Sequence, residues 1–156
     1  MPRILVDGHQ KPWFSVERTV GRNAPNDRLD VLLVQLLLFH ATKSEIKVLP
    51  LRVPRGLRVA TPAAGAQTPA RPRPQGRIVI DGFCGDQTIG FIEYFQAEMV
   101  LGLYQGVEIN GQVARMETRV TTMEMLHIYG TGEFASPFLL GQSNAFPQEL
   151  RNFIYV

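Results

Sequence analysis

The chain has 156 residues, 45% of them apolar and 19% charged, with a formal net charge of +2. Those totals describe one ordinary domain with an apolar core and exclude a polyelectrolyte chain. So small a charge makes no case for nucleic acid, and a single cysteine, Cys84, excludes an intrachain disulfide while leaving the redox compartment open.

The N-terminal MPRILVDGHQKP meets Asp7 too early for the apolar core of a signal peptide. The expectation is a chain without a classical export signal, cytoplasmic at synthesis. Residues 1–19 read as an irregular segment. Leu5 to Gly8 suggest a short strand and turn, and Pro2, Pro12 and Pro25 oppose helix. At NDRLD a helix begins: Asn26 or Asp27 can cap it, and Asp30 places negative charge in its first turn. The LLVQLLLF that follows is apolar almost all round, which predicts a helix buried on more than one side. The run from Leu29 to Phe39 is about half of what a bilayer requires, so no membrane insertion is expected.

From Pro50 to Gly76 the composition changes. Six prolines fall in this stretch, and seven basic residues but no acidic one lie between Glu45 and Asp81. Such a segment buries too little apolar area to offset its chain entropy, so 50–76 reads as an excursion from the domain. The repeated LRV at Leu51 to Val53 and Leu57 to Val59 suggests a hairpin within it. Its scattered arginines lack interleaved aromatics, and solvation is the simpler account of their charge.

IVIDGFCGDQTIGFIEYFQ, Ile78 to Gln96, is the most organised stretch. Asp81-Gly82 suits a tight turn, Gly85 permits a second reversal, and Asp86 lies in the first turn of a helix in which Ile89, Ile92, Phe95 or Gln96, and Met99 share a face. Asp81, Asp86 and Glu93 lack a spacing that would place two carboxylates across one sugar, Asp86 and Glu93 being about 10 Å apart along a helix axis. DGFCGDQT lacks the alternating oxygen ligands of a calcium loop. Cys84, near a helix start, has the setting of a somewhat acidified thiol, although a lone cysteine is more often a small packed residue. His9, His40 and His127 lack metal-ligand spacing. No catalytic residue, cofactor or metal site is expected, and the chain is read as a non-enzyme.

Further on, Ile109-Asn110-Gly111 mirrors Ile80-Asp81-Gly82, and Met116, Val120, Met123 and Leu126 line one side of a helix expected to stop at Gly130. FPQELRNFI reads as a last short helix, with Pro147 near its first turn.

The two organised segments together resemble the peptidoglycan-binding domain family. Asp81, Gly82, Gly85, Thr88, Ile92, Phe95 and Gln96 match its second motif, and Val34-Gln35-Leu36-Leu37-Leu38 resembles the V-Q-x-L-L helix of its first. Asp86 stands where the family has proline, and Phe91 where it has a small residue. The link between the motifs is much longer here. The resemblance covers 20–101, with 50–76 as an insertion and 102–156 as a C-terminal helical extension packed on the same domain. It implies a mainly α fold with a small three-helix core and short strands or turns, and non-catalytic binding of peptidoglycan. Gln35 and Gln96 are expected to bond backbone within the fold. Asp81, Phe83, Gln87 and Tyr94 are the candidate ligand contacts. The alternative is a structural or adaptor subunit of a phage tail or contractile injection-type particle that uses the same fold for protein contacts. Partners are thus peptidoglycan or a protein assembly, without nucleic acid; homo-oligomerisation is left open, and the resemblance implies a chain carried in a particle or delivered to the cell wall by a non-classical route.

Overall fold

Asp27 accepts the backbone N–H of Leu29 at 3.2 Å and thereby opens the first helix, α1, Arg28–Ala41. The computed structural model describes residues 2–6, 12–43, 71–101, 107–115, 122–131, 142, 144 and 146–154. Among them are three further helices: α2, Asp86–Leu101; α3, Thr122–Thr131; and α4, Gln148–Ile154. Four short strands accompany them: β1, Arg3–Val6; β2, Pro12–Ser15; β3, Val20–Gly21; and β4, Gln112–Val113. The architecture is mainly α, with two small antiparallel sheets.

The apolar run of α1 is enclosed all round. Val31, Leu33, Val34, Leu36, Leu37 and Leu38 are each fully buried, which accounts for a sequence with no polar stripe. Each such side chain removed from water contributes roughly 1.5–3 kcal/mol before chain entropy is subtracted. Around α1 lie Phe91, Ile92, Phe95 and Met99 of α2, Met123 and Leu126 of α3, and Leu150 of α4. The bulky Phe91 is itself fully buried.

Helices α1 and α3 pack directly against each other. Gly130 lies in the last turn of α3, which extends to Thr131, one residue past the expected stop. A Cβ there would stand 2.8–2.9 Å from atoms of Leu37, including its Cα, so glycine serves the approach of two backbones. The methionine face begins, within the described residues, at Met123; Met116 and Val120 lie outside them. The suggested hairpin at 51–59 likewise lies outside the described residues.

In the N-terminal segment, expected to be irregular, β1 and β2 pair antiparallel from Arg3 with Ser15 to Val6 with Pro12. The pair is anchored by tertiary contacts that no local pattern reports. Phe14 is fully buried, and its backbone N–H donates to His127 Nδ1 on α3 at 3.1 Å. The chain then turns under α1. Asp30, read as a charge for the helix dipole, is fully buried and accepts the N–H groups of Glu17 at 3.1 Å and Arg18 at 3.0 Å. Burial pushes its carboxyl above the usual carboxylate range, and the two backbone N–H groups offset part of that. Asn26, in the left-handed region with φ +54°, is not the cap; it clasps the loop by accepting from Gly21 N at 2.7 Å and donating to Ala24 O at 3.0 Å.

Candidate functional site

Two buried glutamines organise the turns that precede α2 and β4, and they do so in the same way. Gln35, 1% exposed on α1, accepts the backbone N–H groups of Asp81 at 3.1 Å and Gly82 at 2.8 Å through its Oε1. Its Nε2 donates to Asp81 Oδ1, Phe83 O and Thr88 Oγ1 at 3.0, 3.0 and 3.1 Å. Gln96, fully buried on α2, accepts from Asn110 N at 3.1 Å and Gly111 N at 2.9 Å. Its Nε2 donates to Asn110 Oδ1, Gln112 O and Thr122 Oγ1 at 3.0, 2.8 and 3.0 Å.

Each turn is closed internally too. Asp81 Oδ1 accepts the Phe83 N–H at 2.8 Å, and Asn110 Oδ1 accepts the Gln112 N–H at 2.9 Å. Gly82 and Gly111 have φ of +75° and +70°, a conformation that glycine adopts without the penalty of a Cβ. A primary amide suits this task because its oxygen accepts two N–H groups while its two N–H hydrogens, one of them shared, serve the three acceptors that the turn and its surroundings offer. Glutamine thus writes one helix into the start of the next.

The outer rim of the first turn carries three of the four proposed ligand contacts. Phe83 is 72% exposed. Gln87 is exposed in the first turn of α2, and its Nε2 donates to Arg77 O at 3.4 Å. Asp81 is exposed, but Oδ1 is committed to the turn. The Phe83 N–H, then the Gln35 amide, hold its carboxyl below the usual range, so it stays ionised at neutral pH. Tyr94 does not join them. It is 9% exposed, because its position on α2 faces packed structure, and it has too little surface to meet a ligand.

Several sequence readings change at this site. Cys84 is half-buried, and burial pushes its thiol up; that removes the acidified-thiol reading. Arg28 was not picked out from the sequence. Its Nη1 donates to Asp81 O at 2.6 Å, while Nε and Nη2 grip Glu149 at 3.1 and 3.0 Å, linking the turn to α4. Only the fold brings positions 28, 81 and 149 together.

The chemistry of the rim is an aromatic face with amide and carboxylate neighbours, a combination suited to sugar C–H groups and polar substituents. Among the described residues no group of three His, Cys, Asp or Glu side chains could hold a metal ion, and no helix is long and apolar enough to cross a membrane. The chain matches no family model, no curated protein and no solved structure.

Proposed function

We propose that this chain is a non-catalytic peptidoglycan-binding module whose ligand lies across Phe83, Gln87 and the exposed edge of Asp81. The observation that carries the reading is the exposed Phe83 ring on a turn that Gln35 holds rigid from beneath. A large apolar side chain held in water on an ordered turn gives the fold little, and it gives a glycan a preorganised surface. Gln35 and Gln96 act as fold-makers in this reading.

The test is co-sedimentation of the purified protein with intact sacculi from several wall types. Wild type is expected in the pellet. Phe83→Ala is expected to weaken retention about tenfold, an aromatic contact being worth on the order of 1 kcal/mol or slightly more, without loss of thermal stability. Wild-type protein that stays in the supernatant with every wall type overturns the proposal.

The second reading is an adaptor subunit of a phage tail or injection-type particle. Val79 and Leu101, 55% and 51% exposed, are apolar surfaces besides Phe83 that a protein partner would cover. Native mass measurement with proteins encoded beside it separates the two readings. A stable complex formed without wall material favours the adaptor.

A further inference from the structure

Beside the rim, at the C-terminal end of α1, Lys43, Arg73 and Arg77 line one depression together with Phe39, Thr42 and Ile78. Among the described residues no carboxylate lines it, and from Lys47 to Ile80 the sequence contains no acidic residue. The depression adjoins the Phe83 surface, because Gln87 of that surface bonds the Arg77 carbonyl.

Arg73 is held in position: its Nη2 donates to Thr42 O at 2.7 Å. That bond uses one of five N–H donors on the guanidinium. The described ion pairs employ Arg3, Arg22 and Arg28, and none involves Arg73 or Arg77. The floor is apolar, with Ile78 4% exposed and Phe39 packed on the core. Such a floor lowers the local dielectric and strengthens a charge-assisted bond above it.

The C-terminal dipole of α1 opposes an anion here, but with only about half an elementary charge. The full positive charges of Arg73 and Arg77 outweigh it. Thr42 also takes up Leu38 O through both its N–H at 2.8 Å and its hydroxyl at 2.7 Å. The depression is partly open and its volume is about 10 Å³, room for about one water. It seats a single ligand atom, and the remainder of the ligand lies over the basic rim.

We propose that this depression binds an oxyanion, a carboxylate or phosphate borne on a small group whose apolar part meets Phe39 and Ile78. One oxygen sits in the depression and the others meet the forks of Arg73 and Arg77, the geometry that guanidinium presents to such groups. The inference does not depend on wall binding, and it stands if sacculi are not retained.

The test is an amide-shift titration of the full chain at constant ionic strength, with sodium phosphate in one arm and N-acetylalanine in the other. Saturable shifts are expected at Thr42, Lys43 and Ile78 in at least one arm, and the arm that saturates tells phosphate from carboxylate. Arg77→Gln, at an exposed position, is expected to weaken that binding by about tenfold, as loss of one charge-assisted pair implies. Lys43→Gln provides a second variant if the first spectrum loses dispersion. Arg3→Gln, which lines no part of the depression, is expected to leave it unchanged. Linear, non-saturating shifts in both arms overturn the proposal, as does equal binding by well-dispersed Arg77→Gln and wild type.

Discussion

Replacing each glutamine by leucine separates a structural amide whose partners can be rehydrated from one whose partners cannot. In Gln96→Leu the partners left behind include the buried Gly111 N–H and the Thr122 hydroxyl, Thr122 being 7% exposed. Each orphaned buried group costs roughly 1–3 kcal/mol, and bonds lost to groups that water can reach cost about 1 kcal/mol or less. Asn110 is exposed and Gln112 half-buried, so those two belong to the cheaper class. The expected loss is about 4 kcal/mol, a large part of the stability of a small domain. In Gln35→Leu only Thr88, 3% exposed, is a buried partner; Asp81 and Phe83 are exposed and Gly82 half-buried. The expected loss there is about 2–3 kcal/mol. Urea unfolding of both variants, followed through the single tryptophan, Trp13, and by far-ultraviolet dichroism, measures the difference. Equal losses, or a larger loss at Gln35, would refute the argument that partner burial sets the cost. Losses below about 1 kcal/mol at both sites would refute the structural role itself.

Three further outcomes are expected. Burial of His127 lowers its value from 6.5 to about 4, so the unfolded chain takes up the proton first as the pH falls. The histidine's contribution is intact above pH 6.5 and about 3 kcal/mol is lost by pH 4; Asp30, whose value is raised, acts in the opposite sense at the acid end. Urea midpoints from pH 7.5 to 4.5 for wild type and His127→Asn isolate the term, and equal slopes in the two proteins contradict it. Gly130→Ala gains about 1 kcal/mol in helix propensity but drives a methyl group against Leu37. Overpacking of that kind costs roughly 1–3 kcal/mol or more when backbone must move, so a lower melting temperature is expected, and a higher one contradicts the close approach of α1 and α3. Arg28→Ala removes an ion pair whose side chains are 58% and 53% exposed. Only a small drop in the urea midpoint is expected, because solvent screens an exposed pair, and a drop as large as that of Gln35→Leu would show that the link to Asp81 O matters more than exposure suggests.

The sequence by itself determined those features that depend on neighbouring residues. Asp81-Gly82 and Asn110-Gly111 are legible as turns because an Asx side chain and a glycine close them locally. The uniform apolar character of Val31 to Leu38 already states that α1 is surrounded. The glutamine bonds were an expectation that came with the family resemblance; no local pattern reports them. What tertiary structure alone decided was the use of residues whose partners lie far along the chain. Asp30 is equally at home in a helix's first turn or beneath a loop, and only the path of Glu17 and Arg18 makes it the latter. A glycine at 130 reads locally as a residue near a helix stop, and only the fold makes it the place where α3 lies against Leu37. Tyr94 shares a helical side with Gln87, but only the surrounding packing makes one buried and the other exposed. Periodicity reports which side chains share a face, whereas burial and hydrogen-bond partners depend on what the rest of the chain brings against that face.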